Sequence, residues 1–153
     1  MAFSLHSPAF QDGGAIPDTY ARGGENRSPP LRWTDPPAEA KSFMLVVEDP
    51  DAPSGLFRHW AVHDLDPNQT ELREGAGSTE TRAARQGVND FGDVGYDGPQ
   101  PPPGDGVHHY HFRLAALDVA HLELPDDADA ALIAQTARRH VISETEIVGT
   151  YQS

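Results

Sequence analysis

Prolines and glycines divide this chain into short segments, and no other feature of the sequence constrains its fold as strongly. The 153 residues include 14 prolines and 14 glycines. Each type makes up about 9% of the chain, against average usage of roughly 5% for proline and 7% for glycine. Proline removes a backbone donor and glycine weakens a helix, so long helices are disfavoured. The sequence therefore predicts one ordered domain over residues 1–153, with many turns and loops rather than a helical bundle.

The charge balance excludes several classes of partner. Asp and Glu number 24 and Lys and Arg number 11, which gives a net charge of -13. Nucleic-acid binding and docking on anionic lipid both need a cationic surface, so we expect neither. The only lysine is Lys41. An acidic, lysine-poor surface favours a protein of a salt-rich cytoplasm, because salt screens the self-repulsion; the alternative is an ordinary acidic protein.

The sequence also narrows the chemistry and the location of the protein. The chain has no cysteine, which rules out disulfides, thiolate zinc sites and a cysteine nucleophile. It has no G-x-S-x-G, P-loop or G-x-G-x-x-G motif, so we predict neither an enzyme nor a cofactor. The first residues lack the features of a signal peptide, and no apolar run approaches the roughly 20 residues of a membrane span. We therefore predict a cytoplasmic protein without membrane insertion.

Two strands are predicted on either side of a proline-rich turn. Residues 42–48 (SFMLVVE) form a continuous apolar run, which is typical of a strand buried on both faces. Residues 49–53 (DPDAP) contain two prolines, which cannot continue a strand ladder, so a rigid loop is predicted there. Residues 59–65 (HWAVHDL) form the second strand, and a period of two places His59 and His63 on one face.

A third strand, over residues 107–118 (VHHYHFRLAALD), shows the clearest alternation. One face carries His108 and Tyr110 and is predicted to meet the core and a pocket. The opposite face carries His109 and His111 and is predicted to meet solvent. The histidines of this stretch therefore do not form one cluster. A metal-binding hairpin of His109 and His111 is disfavoured, and no metal site is predicted.

Shorter elements complete the prediction. A short edge strand is expected around Phe3 and Leu5, and an extended segment over residues 28–33 leads into another strand. A final strand is expected over residues 142–148, and a short helix over residues 79–86.

The clearest helix follows the third strand. Asp126 is predicted to cap its start, and Arg138, Arg139 and His140 close its last turn. Acidic residues at the start and basic residues at the end complement the dipole of a helix, which supports this prediction.

Polar residues near the predicted strand ends suggest a binding site. His59 and His108 each open a strand just after a Gly/Pro-rich loop, where sites are usually built. Their imidazoles and the Tyr110 hydroxyl can donate hydrogen bonds to a small anion, and an aspartate can orient an imidazole. Asp49 and Asp51, after the buried strand, are the candidates for that role. The competing interpretations are turn chemistry for the aspartates and satisfied, partly buried histidines.

Two separated motifs resemble the signatures of one protein family. The first joins DPDAP at residues 49–53 to Gly55 and to HW at residues 59–60. The second joins YDGPQPP at residues 96–102 to HHYHF at residues 108–112. Three further segments also fit, namely GENRSPPLRW (24–33), NDFG (89–92) and VGTY (148–151). The chain thus resembles the phosphatidylethanolamine-binding protein family, which includes the Raf kinase inhibitor proteins, and in particular its bacterial and archaeal Raf-kinase-inhibitor-like branch.

The resemblance implies a mainly β fold, with a large antiparallel sheet packed on a smaller one and one or two helices. It also implies a pocket for phosphate-like anions and phosphoryl head groups. Carried over by position, the residues that line this pocket are Asp49, His59, His108 and Tyr110, and those that shape its rim are Asp51, Pro53, Gly98, Pro99 and Pro101. Gln100 stands where the prokaryotic branch often has cysteine, so thiol chemistry is excluded there.

The predicted function is non-enzymatic binding of a small anion, either phosphate or a phosphoryl head group. A second hypothesis is an interaction module that inhibits or regulates a kinase or a protease. A third is a metal-assisted hydrolase that uses Asp49, His59 and His108. A homodimer fits this branch of the family, although the sequence carries no heptad or apolar patch that would mark an interface.

Overall fold

The computed structural model describes residues 2–78 and 85–153. Within these residues the chain forms eight strands, one α-helix and two short 3₁₀ helices. The strands are β1 (Ser4–His6), β2 (Leu31–Thr34), β3 (Ser42–Ala52), β4 (Gly55–Leu65), β5 (Glu71–Leu72), β6 (Arg85–Gln86), β7 (His108–Leu117) and β8 (Val141–Tyr151). The α-helix, α1, spans Ala130–Ala137, and the 3₁₀ helices span Asp18–Tyr20 and Arg138–His140.

The strands form two antiparallel sheets. The larger sheet has the order β6-β4-β3-β7-β8, and the smaller sheet has the order β1-β2-β5. The predicted mainly β fold, with a large antiparallel sheet and a smaller one, is confirmed. The predicted edge strand is β1, which pairs with β2, and the predicted final strand is β8, which pairs with β7.

Both faces of β3 are buried, which explains its continuous apolar sequence. Phe43 and Val47 pack into the core between the two sheets, where the ring of Phe43 lies 5.6 Å from that of Trp33 in β2. Val46 packs on the opposite face of the sheet, together with Ile133 of α1. A strand covered on two sides needs apolar residues at successive positions rather than alternation.

The alternation predicted for β7 is present. Tyr110 and Phe112 are buried in the core between the sheets, whereas His109 is exposed and His111 is half-buried. The predicted core and solvent faces of this strand are therefore confirmed. His108, at the start of the strand, is buried on the same side as Tyr110.

The prediction that the DPDAP segment ends β3 is wrong. The strand continues to Ala52 and turns back into β4 at Gly55. Its pairing with β7 ends at Glu48, so the remaining residues have only β4 as a neighbour, and their register shifts between Asp49 and Ala52. Pro50 lies in this irregular segment with one free edge, where a missing N–H removes no regular ladder bond.

The start of α1 also differs from the prediction. Asp129 caps the helix, because its side chain accepts a hydrogen bond of 2.8 Å from the backbone N–H of Leu132. Asp126, the predicted cap, lies in the preceding turn. Several aspartates here are able to cap, so the choice falls to packing: Ala130 and Ile133 must meet the sheet, and they fix where the helix begins.

Two further points concern helices. The short helix predicted over residues 79–86 falls mainly on residues 79–84, which lie outside the described residues; Arg85–Gln86 form β6 and pair with β4. Across residues 2–78 and 85–153, no helix is long and apolar enough to cross a membrane.

Candidate functional site

A cavity of about 260 Å³ lies at one end of the larger sheet. Its wall combines polar side chains with aromatic rings and prolines. The lining residues are Asp49, Ala52, Pro53, Ser54, Phe57, His59, Phe91, Gln100, Pro101, Pro102, His108 and Tyr110. The four pocket residues inferred from the sequence are all among them, as are the rim residues Pro53 and Pro101.

The pairing of three neighbouring strands brings these side chains together. β3 lies between β4 and β7, so the part of β3 that carries Asp49 is next to the starts of both neighbours. β4 supplies His59 near its start, and β7 supplies His108 and Tyr110. Residues far apart in sequence therefore share one cavity, because antiparallel pairing sets the end of one strand beside the start of the next.

His108 lies between two carboxylates. Its Nδ1 is 2.7 Å from Oδ2 of Asp49, and its Nε2 is 2.6 Å from Oδ2 of Asp105. A carboxylate only accepts hydrogen bonds, so both ring nitrogens carry a proton and the ring is an imidazolium. Burial opposes this charge, but the hydrogen bonds to Asp49 and Asp105 outweigh it and raise the pKa of His108 above its ordinary value of 6.5.

His59 reaches the cavity because β4 contains a β-bulge. Trp60 and Arg58 lie opposite consecutive residues of β3, which leaves His59 as the extra residue. Its ring therefore packs edge-on against that of Tyr110, with centroids 5.2 Å apart. The prediction that His59 and His63 share a face is wrong, since His63 lies on the other side of the sheet, against the segment that precedes α1.

His59 is neutral, in contrast to His108. Burial lowers the pKa of His59 below its ordinary value of 6.5 and outweighs the effect of a hydrogen bond to the carbonyl oxygen of Asp97. That carbonyl lies 2.8 Å from Nδ1 and can only accept, so Nδ1 carries the single ring proton. The other nitrogen, Nε2, is then an acceptor. The two histidines of the cavity thus differ in charge and in hydrogen-bonding role.

The side chain of Tyr110 is a neutral phenol close to Asp49. Its side chain is fully buried. Burial is the main reason that the pKa of Tyr110 lies far above its ordinary value of 10, and the charge of Asp49 and a hydrogen bond to that carboxylate add to the effect. The hydroxyl is therefore a donor at any physiological pH.

Phe57 and Phe91 form an aromatic wall that the alternation patterns do not predict. Their ring centroids are 4.7 Å apart, and the Phe91 ring lies 5.4 Å from that of His59. The guanidinium of Arg22 lies 4.1 Å over the Phe91 ring. The side chain of Asn89 accepts a hydrogen bond of 2.9 Å from the Phe91 N–H and so fixes this segment. The only signal in the sequence was the NDFG motif, which contains Asn89 and Phe91.

The backbone carbonyl that accepts from His59 belongs to Asp97, and the side chain of Asp97 is held by two asparagine side chains. Oδ1 of Asp97 accepts from Nδ2 of Asn26 at 2.8 Å, and its Oδ2 accepts from Nδ2 of Asn89 at 2.9 Å. Asn26 in turn accepts a 2.7 Å hydrogen bond from the N–H of Gly98. Sequence reasoning missed these positioning residues, because nothing local links three segments so far apart in the chain.

Asp51 lies outside the cavity lining. Its Oδ2 accepts from the backbone N–H and from Nδ1 of His109, each at 2.8 Å. The hydrogen bond from the His109 ring is the main reason that the pKa of Asp51 is lowered. The two candidate aspartates therefore have different roles. Asp49 orients His108, whereas Asp51 binds the start of β7 and so holds the β3–β4 turn against it. Asp105, which sequence reasoning missed, is the second carboxylate on His108.

Gly98 and Pro99 support the rim from behind and are not lining residues. A Cβ at position 98 would overlap the carbonyl oxygen of Tyr20, so only glycine fits there. The carbonyl of Pro99 accepts a 3.0 Å hydrogen bond from the N–H of Arg22. Both residues thereby dock the YDGPQPP segment on the first part of the chain.

A larger cleft of about 590 Å³ lies elsewhere on the molecule. Its lining includes the carboxylates of Glu25, Glu74, Asp93 and Asp97 and neither of the cavity histidines. Such an acidic wall repels anions. The smaller cavity, with its imidazolium and its phenol, is therefore the better candidate for the functional site.

Comparison with known proteins shows the family of the chain. A family model described as phosphatidylethanolamine-binding protein matches residues 6–152. The chain belongs to the phosphatidylethanolamine-binding protein family. The resemblance inferred from the two sequence motifs is therefore confirmed.

Relatives within the phosphatidylethanolamine-binding protein family cover the whole chain. A UPF0098 protein of Methanothermobacter thermautotrophicus is 43% identical over 152 residues, which span 97% of this chain and 98% of that protein. The crystal structure of Escherichia coli YbcL, described as a member of the mammalian PEBP family, superposes with a TM-score of 0.93 at 31% identity, covering 100% of this chain and 99% of YbcL. A Chlamydia trachomatis homologue of phosphatidylethanolamine-binding protein superposes with a TM-score of 0.87 at 40% identity, covering 99% and 98% of the two chains.

Proposed function

We propose that the protein is a non-enzymatic binding protein whose cavity takes a small oxyanion, either phosphate or the phosphoryl group of a larger molecule. The contact between His108 and Asp105 carries this proposal. A carboxylate oxygen of Asp105 lies 2.6 Å from Nε2 of a buried imidazolium. An anionic oxygen is thus compatible with this position, in spite of the net charge of -13 on the whole chain.

Two buried groups supply hydrogen bonds to the oxyanion. They are His108, through Nε2–H, and the hydroxyl of Tyr110, and both residues line the cavity. The single proton of the Tyr110 hydroxyl turns from the Asp49 carboxylate to the ligand when the oxyanion binds. A hydrogen bond to a charged group contributes about 1.5–3 kcal/mol, and exclusion of water strengthens it. Asp49 does not touch the anion, because like charges in contact oppose binding. Its role is to hold the imidazolium by Nδ1.

His59 accepts rather than donates in this proposal. Its Nδ1–H is occupied by the carbonyl of Asp97, and its Nε2 carries a lone pair. The matching ligand atom is a protonated oxygen, such as the P–OH of hydrogen phosphate. This role differs from the expectation that both imidazoles donate to the ligand. The aromatic wall of Phe57 and Phe91 is suited to the organic part of a phosphoryl compound.

The hydrolase hypothesis is less well supported by this geometry. Both ring nitrogens of His108 are donors to carboxylates, so neither offers a lone pair to a metal. Across the described ranges, no group of three or more His, Asp and Glu side chains is arranged to hold a metal ion. Stoichiometric zinc in the purified protein would favour the hydrolase. Regulation of a kinase or a protease and the homodimer stay predictions from the sequence.

The test is a titration with inorganic phosphate and with phosphoethanolamine, followed by NMR of the protein and by phosphorus NMR of the ligand. We expect saturable shifts centred on His108 and Tyr110 in the wild type. His108→Ala and Tyr110→Phe should each weaken binding at least about tenfold, the effect of losing roughly 1.4 kcal/mol.

The matched control is His140→Ala. His140 pairs with Asp118 beyond the far end of β7, so its loss should leave binding unchanged. Thermal unfolding shows whether each variant is folded. Equal titration curves for the wild type and for folded His108→Ala would overturn the proposed function.

A further inference from the structure

We infer that Asp105 is a built-in competitor for the oxyanion position. Its carboxylate occupies Nε2 of His108, and an outside anion binds there only when Asp105 withdraws. This competition makes the site selective, because a simple carboxylate cannot displace Asp105 whereas a phosphoryl group can. This inference rests on the proposed function and adds the residue that regulates the site.

The two carboxylates on His108 are similar in contact but differ in exposure. Asp49 lies 2.7 Å from Nδ1 with a side chain that is 4% exposed, and Asp105 lies 2.6 Å from Nε2 with a side chain that is 39% exposed. Asp49 is therefore part of the fixed frame of the cavity. Asp105 is not one of the lining residues of the cavity, but its backbone is bonded to Pro102, which is one of them. Asp105 therefore meets the ring from a more exposed loop beside the cavity.

The loop that carries Asp105 is built to move it. Asp105 stands between Gly104 and Gly106, whose φ angles are +81° and +84°. A Cβ at either glycine would meet no atom within 4 Å, apart from the neighbouring residues of the chain, so there is open space beside both glycines. The N–H of Asp105 donates to the carbonyl of Pro102, which lines the cavity. Glycine torsions alone can thus withdraw the carboxylate from the ring.

Asp105 and an outside anion cannot share the site. His108 has one N–H on its solvent side, and two anionic oxygens competing for that N–H repel each other. The charges close to the ring are the carboxylates of Asp49 and Asp105, with the more distant carboxylate of Asp51. His59 and Tyr110 are neutral. With Asp105 in place, the one N–H that His108 could offer a ligand is already occupied, so binding has to be an exchange.

This exchange determines which anions can displace Asp105 and bind to His108. A tethered group acts at a high effective concentration, about millimolar or above for a short linker. Acetate makes the same kind of hydrogen bond to His108 as Asp105 does, so it cannot displace the tethered carboxylate. Phosphate brings further oxygens that reach Tyr110 and His59, and these extra hydrogen bonds offset the cost of displacement. If the withdrawn state is populated to about a tenth, the apparent affinity for any anion falls about tenfold.

The test compares the wild type with Asp105→Ala and Asp105→Asn, using inorganic phosphate and acetate as probes. The control is Asp127→Ala, which makes the same charge change at an exposed position in the turn before α1. Because Asp105 also raises the pKa of His108, the comparison is made at about pH 5, well below the ordinary pKa of histidine. There we expect Asp105→Ala to bind phosphate at least about fivefold more tightly. It should also gain acetate binding, seen as a shift of the His108 Nε2 resonance. Asp127→Ala should match the wild type.

The outcomes separate this inference from the proposed function. If the wild type binds phosphate and both folded Asp105 variants bind it no more tightly, the inference is wrong and the proposed function stands. If neither the wild type nor any Asp105 variant binds phosphate, both are wrong. If the wild type binds phosphate, the Asp105 variants bind it more tightly and His108→Ala abolishes binding, both are supported. Binding that is seen only after Asp105 is replaced would overturn the proposed function and the selective exchange, because the wild type would then admit no phosphate.

Discussion

Nδ1 of His108 lies 2.7 Å from Oδ2 of Asp49, although 59 positions separate the two residues in the chain. β3 and β7 are neighbours in the larger sheet, and their pairing runs up to Glu48 opposite His111. The contact therefore depends on strand register. Any change that shifts this register also removes one of the two carboxylates that favour the charged form of His108, which links the fold directly to the chemistry of the cavity.

Replacement of Asp49 by asparagine should weaken anion binding without unfolding the protein. Loss of this carboxylate lowers the pKa of His108, and each unit of lowering reduces the imidazolium fraction above the pKa about tenfold. NMR titration of the ring measures the pKa, and phosphate titration measures the affinity. Asp118→Asn, which removes the partner of His140, is the matched control and should leave phosphate affinity unchanged.

Stability and anion binding that depend on charged His108 should decline as pH rises. The folded-state pKa of this group is raised above 6.5. Its contribution is therefore complete below that value and is lost as pH rises through the folded pKa. Melting temperatures from about pH 5 to 9, for the wild type and for His108→Asn, should differ most at the acidic end. A difference that grows with pH would contradict the assignment.

His59 should act in the opposite direction. Its folded-state pKa is lowered below 6.5 by burial, so the unfolded chain takes up the proton more readily. The corresponding stability is present above pH 6.5 and is lost as the pH falls below that value. His59→Gln should reduce this acid sensitivity in thermal unfolding measured between about pH 7 and 5. An unchanged slope would show that His59 is not neutral in the folded protein.

Gly98→Ala should destabilise the protein, by about 1–3 kcal/mol as for other overpacked sites. The added methyl group would overlap the carbonyl oxygen of Tyr20, which is backbone and cannot rotate away. Gly23→Ala is the control, since a Cβ at position 23 meets nothing within 4 Å. Urea unfolding measures both variants. Equal free energies of unfolding would mean that the YDGPQPP segment is not docked tightly.

Salt should raise the melting temperature if the acidity is an adaptation to a salt-rich cytoplasm. A net charge of -13 on 153 residues opposes the compact state, and salt screens that repulsion. Thermal unfolding at low and at molar KCl measures the effect. A melting temperature that stays level or falls with KCl would leave the ordinary acidic protein as the explanation.

Local patterns in the sequence predicted much of this fold. The continuous apolar run of β3 and the alternation of β7 follow from the geometry of a strand, in which successive side chains point to opposite faces. The buried positions of Tyr110 and Phe112 could be read from that period alone. The two motifs predicted the family and brought Asp49, His59, His108 and Tyr110 into one proposed pocket. These inferences needed only short stretches of chain.

Only the tertiary structure decided how those residues work. The bulge that turns His59 into the cavity depends on the register between β3 and β4, and strict alternation put this residue on the wrong face. The separate roles of Asp49 and Asp51 depend on which residues of β7 lie beside them. The contact of Asp105 with His108 depends on a loop folding back on its own strand. The period of a strand is fixed by its backbone, whereas register and loop contacts are fixed by packing between distant segments.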